Sequence, residues 1–393
     1  MKRFVWLLLW LLMNGLVSTT LADDERGAVA EKTDAAELKA TEAKPLKDAL
    51  EEVRAQYKLP ALAAGIVTRS GLQELATVGV RKLGNDVPAT DQDLWHLGSC
   101  TKAMTATLLG MLVEQGQLGW DTKLADVFPE VRGEMDEDMR QITLEHLLTH
   151  RSGLPANGPW GQLGKDRSPT QQRLELLRLM AKRSLSNKPG GHFEYSNVGY
   201  ALAGLMAERV TGEAWEDMMR QHVFQPLKMD GVGFGPAGTI GEVDQPWGHA
   251  PTWLGLGPLQ PVQLDNPAAL GPAGTVHASL EAWGKSIALH LDRNNALIAP
   301  EIWDHLHTPA SDGDYAMGWI VVEREWAKDE AGQGLALNHA GSNTMNYCVC
   351  WLSPQRGTAV VAVTNSGQAN AAKALDRVCT LLIRRAMSKP PLD

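Results

Sequence analysis

The feature that most constrains this chain is where its strand-forming segments fall: near both ends, with helical patterns between. Leu62-Ala-Ala-Gly-Ile-Val-Thr68, a turn at Ser70-Gly71 and Leu72 to Val80 read as a hairpin. Strand character returns only late, in Tyr315 to Val322, Leu335 to His339, Asn346 to Leu352 and Thr358 to Thr364. The middle carries helical spacing over Thr101 to Gln115, Leu144 to Leu148, Pro169 to Arg183, Gly199 to Thr211 and Ala214 to His222. Gly116, Gly153, Gly190-Gly191 and Gly212 stand near the expected helix ends. Two more helical patterns, Leu46 to Tyr57 (stopped by Pro60) and about Ala369 to Met387, flank the strands. Together these predict an α+β fold: a mainly antiparallel sheet built from both chain ends, with flanking helices and a helical insertion. The expected domain spans 46–388, with a sheet subdomain over about 46–98 and 275–388 and a helical one over about 99–274. The proline-rich stretch from Gly231 to Gly274 has little periodicity, and loops of that length are usually functional walls.

The chain starts Met1-Lys2-Arg3, runs apolar from Phe4 to Met13 and reaches Thr20-Leu21-Ala22 through small and polar residues. A basic start, a short apolar core and a small-residue end predict a secretory signal over 1–22, and hence export to the periplasm or beyond. Asn14 and Gly15 interrupt the apolar run, so stable membrane insertion after cleavage is not expected. Residues 23–45 are mostly Ala, Glu, Lys and Asp and read as a flexible tether. The net charge of −9, more negative still without Lys2 and Arg3, disfavours a nucleic-acid partner. Cys100, Cys348, Cys350 and Cys379 could all stay reduced and buried. A bridge from Cys379 to Cys348 or Cys350 is the other possibility if the last helix packs on that strand.

Three short motifs carry chemistry. Ser99-Cys100-Thr101-Lys102 places a serine and a lysine one helical turn apart. A serine hydroxyl needs a nearby base, and a lysine can be that base only if its pKa falls. Tyr195-Ser196-Asn197 supplies a hydroxyl able to relay a proton and an amide able to hold both lysine and substrate. His339-Ala340-Gly341 ends a predicted strand, where small residues admit substrate backbone to the edge. Backbone N–H groups of Ser99 and Ser342 would then face a developing oxyanion. Each motif alone has a bland explanation: a helix cap, a polar turn, a strand end. His146 and His150 stand at i, i+4, but Leu147 occupies the place of a metalloprotease glutamate and no third ligand is evident, so no metal is expected. The absence of G-x-S-x-G leaves an α/β-hydrolase elbow unsupported.

Taken in order, Ser-x-x-Lys, Tyr-x-Asn and His-x-Gly resemble the motifs of class C β-lactamases, D-alanyl-D-alanine carboxypeptidases, D-aminopeptidases and related esterases. The flanks are similar too: Leu97-Gly98-Ser99, His146-Leu-Leu-Thr-His-Arg-Ser-Gly-Leu-Pro155, Phe193-Glu-Tyr-Ser-Asn-Val-Gly-Tyr-Ala-Leu202 and His339-Ala-Gly-Ser-Asn343. The resemblance runs from about Leu46 to Met387 and implies a β-lactamase/transpeptidase-like fold and a serine hydrolase. It implies Ser99, Lys102 and Tyr195 as catalytic residues, Asn197, His339 and Gly341 as substrate-binding residues, and no cofactor. The partner is a small molecule or short peptide, and the oligomeric state is left open. Dedicated β-lactamases usually carry Lys where this chain has His339, which favours hydrolysis of a small peptide, D-amino-acid amide or ester. The alternatives are a true β-lactamase acting on penicillins or cephalosporins, and a catalytically idle binding module. An unperturbed histidine titrates near neutrality, so a substrate carboxylate is expected to bind better as pH falls through that range.

Overall fold

The computed structural model describes residues 44–252, 257–292, 295, 297–310, 312–329 and 331–388. The expected signal segment and nearly all of the tether lie outside the described residues. Six strands form one antiparallel sheet in the order β2-β1-β11-β10-β9-β8. They are β1 (Ala61–Thr68), β2 (Gly71–Gly79), β8 (Ile320–Glu323), β9 (Leu335–Ser342), β10 (Tyr347–Ser353) and β11 (Thr358–Thr364). The predicted closure between chain ends is the β1–β11 ladder, which runs from Leu62 opposite Thr364 to Thr68 opposite Thr358. β1 is buried along its whole length and β11 nearly so, which explains their continuous apolar runs.

Two helices cover one face. α1 (Leu46–Tyr57) turns Leu46, Ala49, Leu50 and Val53 inward at helical spacing and ends at Lys58 in the left-handed conformation. α8 (Ala371–Ser388) lies beside it, and its Leu375, Val378, Cys379 and Leu382 join Leu62, Ala64, Val349 and Val360 in one apolar layer. The opposite face merges with the core of the helical region. There α2 (Thr101–Glu114), α3 (Leu144–Leu148), α4 (Pro169–Ala181) and α5 (Asn197–Thr211) pack together. Ser168 and Gln171 make a capping box for α4, and Gly212 at φ 77° closes α5.

The sheet separates the cysteines. Cys348 and Cys350 face the helical core, whereas Cys379 lies in the α1–α8 layer on the other side. A bridge from Cys379 would have to cross the sheet, and all four cysteines are free and buried. This resolves the pairing question in favour of reduced thiols.

Three local departures from the sequence reading matter. Tyr315 to Trp319 is not strand. Ala316 N–H donates to Trp319 O at 2.8 Å, and Gly318 turns the chain at φ 83°. A Cβ on Gly318 would stand 2.7 Å from the Ala103 backbone, so this turn is seated directly on α2. Ala214 to His222 begins as one helical turn, Trp215–Met218, and continues as a π-helical turn, Met219–Phe224. Among the described residues, the longest helices outside the expected set are α6 (Leu280–Leu291), against β1 and β2, and α7 (Pro300–His307), against α2. The Gly231–Gly274 stretch contains short strands β4 (Gly233–Phe234), β5 (Gly248–Pro251) and β6 (Leu259–Val262). β4 pairs with β7 (Val276–Ala278), which also pairs with β3 (Trp95–His96).

Candidate active site

Ser99 sits in the tight turn Gly98–Cys100 that opens α2. Lys102, one turn on, is completely buried; its Nζ lies 3.1 Å from Ser99 Oγ and donates to Asn197 Oδ1 at 2.8 Å and Ala273 O at 2.7 Å. None of these partners is a carboxylate. Burial therefore dominates and holds the Lys102 pKa well below that of an ordinary lysine. Tyr195 Oη donates to Ser99 Oγ at 2.7 Å, and burial raises its pKa, so it keeps its proton. Asn197 Nδ2 is fixed by Asn157 Oδ1 at 3.1 Å. Ser196 caps α5 by accepting from Gly199 N–H at 3.0 Å, which sets Tyr195 just ahead of the helix and Asn197 at its first position.

The strand edge comes directly against the serine turn. A Cβ on Gly341 would stand 2.1 Å from Leu97 O and 2.9 Å from Ser99 N; one on Gly98 would stand 2.5 Å from Ser342 N. Gly98 also has φ 46°. Only glycine permits this close approach of the β9 end to the Ser99 turn.

His339 reaches the site in a different state from the one expected. Its Nδ1 is 2.7 Å from Ala340 O and its Nε2 is 3.2 Å from Tyr315 Oη. With Nδ1–H donating, Nε2 accepts from the tyrosine, and neither nitrogen is left for a substrate. Burial, aided by Lys102, depresses its pKa to about 3. The expected pH-dependent grip on a carboxylate is therefore corrected: His339 stays neutral from pH 8 to 5.

Two residues given no role from the sequence complete the site. Tyr315 had no motif to mark it. His150 lies within the His146–Pro155 segment, where its spacing from His146 marks it only as half of a metal pair. His146 is spent on capping α3, its Nδ1 accepting from Thr143 N–H at 3.2 Å. His150 stands past the helix end at φ 59°. It accepts from Glu194 N–H through its carbonyl at 2.8 Å and from Ser196 N–H through Nδ1 at 3.0 Å. Its ring centroid lies 4.4 Å from that of Tyr195 and 4.6 Å from that of Tyr315. His150 thus braces the segment on both sides of Tyr195. Among the described residues, no group of three or more His, Cys, Asp or Glu could hold a metal ion.

A serine bonded to both a buried lysine and a tyrosine, beside the edge of a mainly antiparallel sheet, defines the serine β-lactamase-like class of α+β proteins. A family model described as Beta-lactamase matches residues 46–382, and the chain belongs to that family of serine hydrolases. It is 26% identical to penicillin-binding protein 4 of Amycolatopsis lactamdurans over 349 residues, covering 82% of this chain and 85% of that one. It is 27% identical to an Aspergillus campestris unguisins hydrolase over 61% of this chain, though it spans only 48% of that protein. The octameric penicillin-binding protein homologue of Pyrococcus abyssi superposes with a TM-score of 0.71 at 23% identity, covering 88% of this chain and 77% of the other. The structure of SurE gives the same TM-score at 21% identity, covering 88% and 76%. At these identities the structural likeness establishes the fold.

Proposed function

We propose that this protein is an exported serine hydrolase that forms an acyl-enzyme on Ser99 and cleaves a small peptide, D-amino-acid amide or ester. The observation that carries this reading is the hydroxyl of Ser99, 3.1 Å from a buried lysine without a carboxylate partner and 2.7 Å from Tyr195 Oη. Lys102, its pKa lowered by burial, takes the Ser99 proton as Oγ attacks the carbonyl. The backbone amides of Ser99 and Ser342 receive the oxyanion. Tyr195, still protonated, hands its proton to the leaving group and is reprotonated through Lys102. Water then follows the same path in reverse, and Asn197 holds Lys102 in register. The acyl step needs no metal or cofactor. His339, neutral and already occupied, supports esters and neutral amides over carboxylate-anchored lactams. Export rests on the basic, apolar and small-residue order of residues 1–22.

Intact-mass analysis after fluorophosphonate treatment tests the mechanism. One adduct per chain, absent in Ser99→Ala, is expected; an adduct that persists in that variant would overturn it. Nitrophenyl esters and D-alanine amides should be turned over far faster than nitrocefin.

A further inference from the structure

A buried acid with no part in the proton transfers lies behind the serine turn. Asp265, its side chain 3% exposed, comes from the irregular Gly231–Gly274 stretch. Its Oδ1 is 2.7 Å from Nε2 of His96, itself buried, and His96 Nδ1 accepts from Gly98 N–H at 3.0 Å. The same Oδ1 accepts from Asn343 Nδ2 at 3.1 Å. Asn343 in turn accepts, through its Oδ1, from Met345 N–H at 3.2 Å and Asn346 N–H at 2.9 Å, and so fixes the turn that follows β9. The neighbouring Asn266 donates to Gly274 O at 2.8 Å, one residue past the carbonyl that binds Lys102. One carboxylate therefore bridges His96, which holds the residue before Ser99, and Asn343, the residue after Ser342, while Asn266 ties the same segment to the floor beneath Lys102.

We propose that Asp265 is a positioning residue that sets the spacing of the Ser99 and Ser342 backbone amides, acting through His96 on one side and Asn343 on the other. This rests on the acyl-enzyme reading above. The two amides come from separate parts of the chain, one at a helix start and one at a strand end, and no covalent link holds them together. A backbone donor serves an oxyanion only within a narrow distance, and loss of one donor costs about 100- to 1,000-fold in rate. A loosened pair should cost a fraction of that, on the order of 10-fold or more. Because the transition state uses the amides more than the ground state does, the loss should fall on kcat rather than KM. An asparagine at 265 keeps an oxygen in place against His96 Nε2 and an acceptor for Asn343 Nδ2–H, so it should preserve the spacing.

The test is steady-state hydrolysis of p-nitrophenyl butyrate by wild type, Asp265→Ala and Asp265→Asn, with active sites counted by fluorophosphonate titration. Expected are a kcat per titrated site down about 10-fold or more in Asp265→Ala, a KM within about twofold, and most of kcat restored in Asp265→Asn. A purely structural role would lower the number of titratable sites while leaving kcat per site unchanged, and that result would overturn the proposal. So would Asp265→Asn being as slow as the alanine variant. Failure of the acyl-enzyme reading shows separately, as wild-type protein that is not labelled at Ser99.

Discussion

At the scale of single residues, the site divides by how burial sets protonation. Burial lowers the pKa of Lys102 and raises that of Tyr195, which suits the first to act as base and the second as acid. kcat/KM should rise with pH through the depressed Lys102 pKa, and Tyr195→Phe should cost about 100- to 10,000-fold in kcat, read by ester hydrolysis. For a substrate with a free carboxylate, KM should stay level between pH 8 and 5, because His339 titrates only near pH 3. A KM that falls as the solution is acidified would show that the Tyr315–His339 hydrogen bond opens on binding. Ser99, Lys102, Tyr195, Asn197 and Gly341 were legible because they lie in short motifs with local geometry. Tyr315 and Asp265 were not, since each is delivered from an irregular segment whose path depends on distant packing.

At the scale of elements, helices and strands with one apolar face were readable from periodicity. α1 and α3 fall where the pattern put them because each buries a local stripe, and β11 because a strand covered on both faces reads as a continuous apolar run. The segment from Tyr315 to Trp319 has strand composition but is turned by Gly318 on the surface of α2, which no window of sequence reveals. Helix α4 carries a different kind of anchor. Arg173 is fully buried and pairs with Glu208 of α5 at 2.5 Å and with Glu216 at 2.9 Å. Glu208 also accepts from Trp215 N–H at 2.9 Å. Arg173→Met would leave Glu208 buried without its cation, so urea denaturation should show a loss of about 3–5 kcal/mol. If stability is unchanged, water must reach the pair and the helical region is looser than its packing implies.

At the scale of the whole molecule, acid should unfold the protein early. His150, His249, His290 and His339 are held below the ordinary histidine pKa, chiefly by burial, with His249 at about 4 and His339 at about 3. His249 is neutral in the fold because its Nε2 accepts from Leu83 N–H at 3.0 Å while its Nδ1 faces Asn365 O at 2.7 Å. Below about pH 6.5 the unfolded chain takes up protons that the folded chain refuses, so stability falls as pH drops. Each such histidine contributes a slope of about 1.4 kcal/mol per pH unit until its folded pKa is reached. The urea midpoint should therefore drop steeply between pH 6.5 and 4.5. A level midpoint over that range would mean that these rings are protonated in the folded state.

The β1–β11 ladder has a consequence for how the chain is threaded. With Arg385 Nη1 donating to Lys44 O at 2.8 Å, the last helix reaches by its side chain to the start of the described chain. A short linker from 388 to 44, with a new opening at the exposed Gly84, would make β8 to β11, α8, α1, β1 and β2 one uninterrupted block. The same sheet would then form from neighbouring segments, with no wait for a distant partner. Such a circular permutant should collapse to its native sheet faster than the natural order of the chain allows, as stopped-flow refolding would show.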